Sequence, residues 1–378
     1  MQKIRNIEIL RFLFILSIIA CHLNQGITNF IYDIAVYEKF RACTHWAWLP
    51  VDFFFIISGF FLFLKTDFKQ SIIDFAKNKL IRLLPPVWGV LLIIWIISLF
   101  TPLQWKSHEN LFTILNIQNI GLTLQNGNIG PSWFVSSLFW GMCLYFYLYK
   151  NVSKEIFNLI TISLIFICYS IFIHVPNHWN IINYAYFINM GMIRAFAGIG
   201  LGYFLCLLYK KYSNSFKYKF NSIKAKFFIS MLEMYLFGTL FYYLCFYYTK
   251  YNNFLFLIIV FALLFICFLA KKGIVSNLFD NNLSVLLGQF TYSIFLTHSL
   301  VKDLWNIYIM NEYQSFVINN PIINLISIYF VTIFVGVITY YLIEKPCTSI
   351  TKKWLEFNNN TLGGGVKPFT RVYFAVVI

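Results

Sequence analysis

The sequence predicts an all-α, polytopic membrane protein with ten transmembrane helices. Of its 378 residues, 60% are hydrophobic and only 11% are charged. The apolar residues form runs of about twenty, the length that crosses a bilayer. So few charged side chains cannot cover a water-soluble surface of this size, so a soluble globular enzyme is excluded. The unbroken apolar runs also exclude intrinsic disorder, a disulfide-built secreted domain and a porin-type barrel.

Each predicted span is a continuous apolar run between two polar segments. We expect residues 1–350 to form one membrane domain, followed by a cytoplasmic tail at 351–378 for which the sequence predicts no structure. In chain order, the ten predicted spans are residues 7–23, 48–64, 87–101, 132–149, 156–173, 185–209, 227–248, 254–270, 284–301 and 322–343.

The net charge of +15 is explained by the way the cations alternate between the segments that join these spans. Segments on one side of the predicted membrane hold 22 of the 29 Lys and Arg residues, and the opposite segments hold five. Cytoplasmic segments of membrane proteins carry the excess of Lys and Arg, so both termini are predicted to be cytoplasmic. The basic excess is therefore a topology signal, and we expect no nucleic-acid partner.

Neither the cysteines nor the N-terminal segment changes this interpretation. The eight cysteines are mostly single residues within apolar runs, with no CxxC pair and no His/Cys spacing suited to zinc, so we expect no metal site. The segment Ile18 to Cys21 resembles a lipoprotein cleavage site. Cleavage there would remove Arg11 and spoil the charge alternation, so we favour an uncleaved first helix.

Arg11 and His22 are the candidate catalytic residues of the first span. They are eleven residues apart, so on a helix they differ by about 20° around the axis and about 16 Å along it. An ionisable group inside a span normally faces the bundle interior or a wet cavity. The alternative is that Arg11 extends to the cytoplasmic interface and His22 sits at the outer one. Their common face favours a functional pair.

Asp52 lies one turn inside the outer boundary of the second span, at about the predicted depth of His22. A carboxylate beside the imidazole would fix its tautomer and raise its basicity, as deprotonation of an alcohol requires. Alternatively, Asp52 complements the dipole at the start of its own helix. The spacing alone does not separate these two roles.

Residues 69–84 are predicted to form an amphipathic helix on the cytoplasmic surface, ended by Pro85 and Pro86 where the third span starts. Lys79 and Arg82 are three residues apart and share one face of this helix. Two cations near the mouth of a cavity suit a phosphate-rich ligand. Contacts with anionic lipid headgroups are the alternative.

Three later residues are candidates for substrate binding. Arg194 lies about ten residues from either end of the sixth span, too deep to reach the interface cheaply, so an internal partner or an anionic ligand is expected. Trp133 opens the fourth span within Gly130-Pro131-Ser132-Trp133. His298 lies in the outer half of the ninth span and is the competing candidate for a catalytic base.

Taken in order, these segments resemble the bacterial membrane acyltransferase family 3 over about residues 4–350. Any one motif is weak, but six in the right order on ten spans are specific. The fourth span departs from members that carry Trp-Ser-Leu followed by an acidic residue, which leaves the acceptor open. The six matching motifs are Arg11 with His22, Asp52 to Phe60, Lys79 with Arg82, the opening of the fourth span at Trp133, Tyr292 to His298, and Ile343 to Pro346.

The resemblance implies transfer of an acyl group, most often acetyl, from cytoplasmic acyl-CoA to a hydroxyl of a cell-envelope glycan or lipid-linked sugar. Acetyl-CoA would be a co-substrate, with no cofactor bound permanently, and the location would be a bacterial cytoplasmic (inner) membrane. Lys79 and Arg82 would hold the CoA phosphates, and His22 would act as the general base. The alternative is a multi-span transporter or flippase of a glycan or small anionic substrate that uses the same buried Arg and His residues.

In the same scheme, Asp52 would orient the imidazole of His22. Arg11 or Arg194 would stabilise negative charge on the donor or on the oxyanion that forms during transfer.

Overall fold

The computed structural model describes residues 4–28, 35–44, 46–122, 127–175, 184–185, 188–218, 222–246 and 253–350. The predicted tail at 351–378 lies outside these residues. The elements are α1 (Arg5–Thr28), α2 (Ala35–Cys43), α3 (Pro50–Lys65), α4 (Ile72–Ser98), α5 (Ser107–Ile114), α6 (Ser132–Asn151), α7 (Lys154–His174), β1 (Tyr184–Ala185), β2 (Ile188–Asn189), α8 (Met190–Tyr218), α9 (Ile223–Cys245), α10 (Phe254–Ala270), α11 (Ile274–Leu278), α12 (Asn282–Gln289), α13 (Thr291–Trp305), α14 (Gln314–Asn319) and α15 (Pro321–Thr339), with π-helical turns at Asn306–Met310 and Tyr340–Glu344.

The helices account for all of the predicted apolar runs, because each predicted span overlaps at least one helix. The prediction of an all-α membrane protein is confirmed at this level, while the number of ten spans and the side on which the termini lie stay predictions. Within the described part of the chain, six helical segments are long and apolar enough to cross a membrane: Arg5–Leu23, Ile72–Ser98, Lys154–His174, Met190–Ser213, Ile223–Cys245 and Pro321–Ile350.

Helices α3 and α8 pack against each other in the interior of the bundle. Every residue of α3 from Pro50 to Phe63 is buried. Glycines allow the two backbones to approach: a Cβ atom at Gly198 would lie 2.6 Å from the Cβ of Phe55, and one at Gly202 would lie 2.5 Å from the backbone nitrogen of Phe60. Gly198 and Gly202 are four residues apart and therefore share a helix face, the spacing that lets membrane helices pack closely.

Helix α4 corrects the prediction that residues 69–84 form a separate surface helix. The helix starts after Ser71, whose side chain accepts a hydrogen bond from the backbone N–H of Asp74 at 3.0 Å, and it runs without a break to Ser98 through Pro85 and Pro86. Prolines remove backbone donors but do not break a helix that is supported by neighbouring helices. One such support is Tyr292 of α13, whose hydroxyl donates to the carbonyl of Leu83 at 2.7 Å.

The segment between α4 and α6, which the sequence predicts only as a connection between spans, folds back onto the bundle. It contains α5 and a following stretch that is held by α6. The carbonyl of Asn116 accepts hydrogen bonds from the Ser136 hydroxyl at 3.0 Å and from the Trp140 ring N–H at 2.9 Å. Trp140 is eight residues into α6, so the stretch reaches about 12 Å along that helix.

The predicted ninth span is also more divided than the sequence suggests. It consists of α12 and α13, which meet at Phe290, and α12 packs on α1. Helix α13 is buried at every residue from Thr291 to Val301. This burial carries Tyr292, Ser293 and His298 into the interior, next to α1, α4 and α15.

Candidate active site

Two histidines meet inside the bundle. The ring centroids of His22 on α1 and His298 on α13 are 5.0 Å apart. His298 is buried, and its Nδ1 lies 2.7 Å from the carbonyl oxygen of Phe295. Because a carbonyl oxygen only accepts, Nδ1 carries the proton, and Nε2 of the neutral ring is then an acceptor. The two residues proposed as alternative bases therefore belong to one site.

A charged cluster lies three turns along α1 from His22. Arg11 donates to Glu8 through an Nη1–Oε2 distance of 2.7 Å, and both side chains are buried. Arg11 therefore points into the protein and does not extend to the interface. Arg11 and Glu8 interact electrostatically with Arg82 of α4, and both arginines interact with Glu344. We call these four residues, Glu8, Arg11, Arg82 and Glu344, the inner charge cluster.

Glu344 links this cluster to the helix that carries His298. The hydroxyl of Ser293 donates to Oε2 of Glu344 at 2.6 Å, and both residues are buried. Ser293 and His298 are five residues apart on α13, about 7.5 Å along the axis. Both α1 and α13 therefore run from the inner charge cluster to the pair of histidines.

Lys79 and Arg82 lie together on α4, as their spacing predicted. Both are partly buried, and Lys79 interacts electrostatically with Arg82 and with Lys65 at the end of α3. The Nζ of Lys79 lies 5.4 Å from the ring centroid of Phe75, and that of Lys65 lies 4.4 Å from the ring centroid of Phe61. These three cations form a group that suits an anionic ligand.

Arg194 has the internal partner that its depth requires, and this partner is Asp52. Its Nε and Nη2 lie 3.1 Å and 2.6 Å from Oδ1 and Oδ2 of Asp52, so the pair is bidentate and joins α8 to α3. Both residues are buried. Trp133, Trp48 and Phe172 place their rings 5.2–5.6 Å from the guanidinium carbon, which is a cation–π arrangement.

The contacts of Arg194 bear on the roles that the sequence analysis proposed for Asp52 and Trp133. Asp52 is the salt-bridge partner of Arg194, and its proposed role in orienting His22 stays a prediction. Trp133 has a place in the site as one wall around Arg194. Removing one partner of a buried ion pair is expected to lower the stability of the protein by about 3–5 kcal/mol, because the other charge stays buried without compensation. Asp52 and Arg194 therefore have a clear structural role in holding α3 and α8 together.

Several site residues were not identified as such from the sequence. Glu8 lies three residues before Arg11, and this helical spacing is a signal that could have suggested their pairing. The Ser293–Glu344 hydrogen bond and the Tyr292–Leu83 hydrogen bond join distant segments and have no local signal.

In the part of the chain that the structure describes, no group of three or more His, Cys, Asp or Glu side chains is arranged to hold a metal ion. The arrangement offers two functions instead. It can bind anions at the Lys65, Lys79 and Arg82 end, and it can accept a proton at the histidine end. The Arg11–His22 spacing of about 16 Å separates these ends along α1.

Comparison with known proteins gave one match. A family model described as an acyltransferase domain matches residues 4–341, which is most of the chain and all of the site residues except Glu344. No curated protein and no solved structure matched.

Proposed function

The chain belongs to the family defined by this acyltransferase domain, and on that premise we propose that it is an integral membrane enzyme that moves an acetyl group from cytoplasmic acetyl-CoA to a hydroxyl of a cell-surface glycan or lipid-linked sugar. Its proposed location is the cytoplasmic membrane of a bacterium. The observation that carries the proposal is the His22–His298 pair, whose ring centroids lie 5.0 Å apart on two helices that both run from the inner charge cluster.

The donor end of the site is proposed to be the group formed by Lys65, Lys79 and Arg82. CoA carries several phosphate groups, and Lys and Arg side chains bind phosphate through charge-assisted hydrogen bonds. The pantetheine arm would then extend past the inner charge cluster toward the histidines. Its length is comparable to the separation of about 16 Å between Arg11 and His22.

The proposed acyl transfer takes place at the histidine end of the site. His22 takes the proton of the acceptor hydroxyl while the oxygen forms a bond to the thioester carbonyl carbon. The C–S bond then breaks, the acceptor becomes an ester, and the CoA thiolate leaves and takes up a proton. Arg11 lies about 16 Å along α1 from His22, so its proposed role is to stabilise negative charge on the donor, not on the oxyanion that forms beside His22.

His298 supports this step through its defined tautomer. Because its Nδ1–H donates to the Phe295 carbonyl, its Nε2 is available as an acceptor on a ring next to that of His22. A bound hydroxyl that donates to one imidazole is thereby held close to the other. We assign the base to His22 and a positioning role to His298.

Purified protein in lipid vesicles, incubated with radiolabelled acetyl-CoA and a panel of neutral sugars, tests the proposal. The wild type is expected to transfer the label to at least one sugar, and His22→Gln is expected to transfer on the order of a hundredfold less. Sugar movement across the vesicle membrane that needs no acetyl-CoA would instead support a transporter. Absence of both label transfer and acetyl-CoA consumption would contradict the acyltransferase proposal.

A further inference from the structure

We propose that a cavity between α4 and α5 holds one fatty-acyl chain of a membrane phospholipid. The cavity has a volume of about 360 Å³, and we call it the tryptophan slot. None of its lining residues belongs to the proposed acyl-transfer site, so the slot does not depend on the proposed function. Six side chains line it: Trp88, Leu91, Leu92 and Trp95 of α4, Trp105 before α5, and Ile114 at the end of α5.

One wall of the tryptophan slot is a stripe along α4. Trp88, Leu92 and Trp95 follow each other at intervals of four and three residues, so they share one face of the helix. Between 45% and 56% of each of these side chains is exposed, which leaves the slot open on one side. Leu91 beside them is buried and forms the floor. Trp88 and Trp95 are seven residues apart, so the wall is about 10 Å long.

The second wall comes from α5, which folds back along α4. The indole N–H of Trp88 donates to the carbonyl oxygen of Ile114 at 3.1 Å. Ile114 is the last residue of α5, and Trp105 lies two residues before the first. An eight-residue helix is about 12 Å long, which matches the length of the stripe on α4. The two helices therefore enclose an elongated space of the kind that a single chain fills.

The depth of the slot in the membrane identifies hydrocarbon as its occupant. Helix α4 is long and apolar enough to cross a membrane, and Trp88 lies ten residues, about 15 Å, before its last residue, Ser98. This distance is about half of a hydrocarbon core that is about 30 Å thick. None of the six lining side chains carries a charge, and the indole N–H of Trp88 already has a protein partner. The open side of the slot thus offers apolar surface to the lipid around it.

The shape of the slot favours one held chain over a chain that lies against a single helix. A chain in the slot contacts two walls and a floor, and dispersion attraction grows with the number of atoms in contact. Trp88 and Trp95 on one wall and Trp105 on the other add large, rigid apolar surfaces.

Lys106 offers a contact for the headgroup of this lipid. It follows Trp105 directly, and its side chain is exposed. Its backbone N–H donates to Oδ1 of Asn128 at 2.9 Å, which fixes the start of α5. An ammonium group at this place suits a lipid phosphate. Phospholipids are the bulk of the bilayer, so even a weak site for them is filled, whereas a polyprenyl phosphate would have to compete at low abundance.

The bound chain also supports the segment that follows α5. The carbonyl of Asn116 in that segment accepts hydrogen bonds from Ser136 and Trp140 of α6. A lipid that holds α5 against α4 holds this connection in place. A ligand that binds only the folded state stabilises it, so phospholipid should raise the unfolding temperature of the protein.

Native mass spectrometry of the protein in mild detergent tests the inference. Leu92→Trp fills the slot but keeps the Trp88–Ile114 hydrogen bond, so this variant should retain one phospholipid fewer than the wild type. Ile326→Trp is the matched control, because Ile326 is exposed on another membrane helix, α15, and it should retain the same number as the wild type. Added phospholipid should raise the unfolding temperature of the delipidated wild type more than that of Leu92→Trp.

Equal retention by the wild type and a folded Leu92→Trp variant would overturn the inference. A retained mass equal to that of a polyprenyl phosphate would overturn the choice of phospholipid.

Photo-crosslinking tests the same site in the unaltered protein. A phospholipid with a diazirine in its acyl chain should label residues 88–95 and 105–114 more strongly than the exposed face of α15 at residues 326–334. Equal labelling of these segments would contradict a held chain, whatever the folding of the variants.

Discussion

His22 and His298 lie 5.0 Å apart, ring centroid to ring centroid, although one comes from the first helix and the other from the thirteenth. Two imidazolium ions at this distance would repel each other, which favours a state in which at least one ring is neutral. A neutral imidazole keeps one ring nitrogen without a proton, and this nitrogen can take up a proton.

The roles of the two histidines can be separated by substitution with glutamine, which keeps hydrogen bonding but cannot take up a proton at neutral pH. His22→Gln should lower turnover by on the order of a hundredfold or more, with binding of acetyl-CoA unchanged. His298→Gln should act mainly on the KM for the acceptor. Initial rates at varied donor and acceptor concentrations measure both effects.

His174→Gln, on the exposed end of α7, is the control. Near-normal turnover in His22→Gln together with inactive, folded His298→Gln would transfer the role of base to His298.

Removing the charges of the proposed donor site should affect the KM for the donor more than the KM for the acceptor. If Lys79 and Arg82 bind the phosphates of acetyl-CoA as proposed, the double substitution Lys79→Ala and Arg82→Ala should raise the KM for acetyl-CoA by on the order of tenfold to a hundredfold. The KM for the acceptor should change much less. Lys77→Ala is the control, since Lys77 is exposed on the same helix. If the double variant is folded and keeps its donor KM, Lys79 and Arg82 contact lipid headgroups instead.

The Asp52–Arg194 pair predicts a loss of stability. Asp52→Asn leaves a buried guanidinium without its carboxylate partner and should destabilise the protein by about 3–5 kcal/mol. Replacing both residues by leucine should recover part of this loss. The measurement is thermal unfolding in detergent. Lys271→Met is the comparison, because its 2.8 Å bridge to Asp280 is partly exposed and should contribute little. Unchanged stability in Asp52→Asn would show that the pair does not hold α3 and α8 together.

The glycine contact between α3 and α8 predicts a steric effect. Gly198→Ala would place a methyl group 2.6 Å from the Cβ of Phe55 and should lower the unfolding temperature. Gly238→Ala is the control on α9, where a Cβ atom would meet nothing within 4 Å. Alanine is the better helix former, so this control should be neutral or stabilising. Equal unfolding temperatures for the two variants would contradict the close packing.

The charge distribution predicts the orientation of the chain in the membrane. Epitope tags inserted at Asp67 and Lys272 should report the cytoplasm, and tags at Lys106 and Glu312 should report the exterior. The basis is the count of 22 cations on one side against five on the other. Protease accessibility in sealed vesicles measures the outcome. A cytoplasmic signal from the tag at Lys106 would contradict the predicted ten-span topology.

The sequence by itself determined the class of the protein and most of its helices. Apolar runs long enough to cross a bilayer require internally satisfied backbones, so helices follow from composition and length. The Arg11–His22 stripe and the Lys79–Arg82 face follow from helical periodicity within one segment. The depth of Arg194 predicted an internal partner or an anionic ligand, because a buried guanidinium needs a compensating negative charge.

The tertiary structure decided which residue each of these groups meets. The spacing of the sequence suggested His22 as one possible partner of Asp52, and the packing of α3 on α8 shows that Asp52 also pairs with Arg194, which no local pattern predicted. Because proline removes a backbone donor, the sequence predicted that the surface helix at residues 69–84 ends at Pro85. In the structure, contacts such as that of Tyr292 with Leu83 support one continuous helix, α4. His22 meets His298, and Gly130 meets Ser299, because α13 is buried beside α1 and the start of α6. Such contacts between distant segments depend on how whole helices pack, and no local pattern encodes that packing.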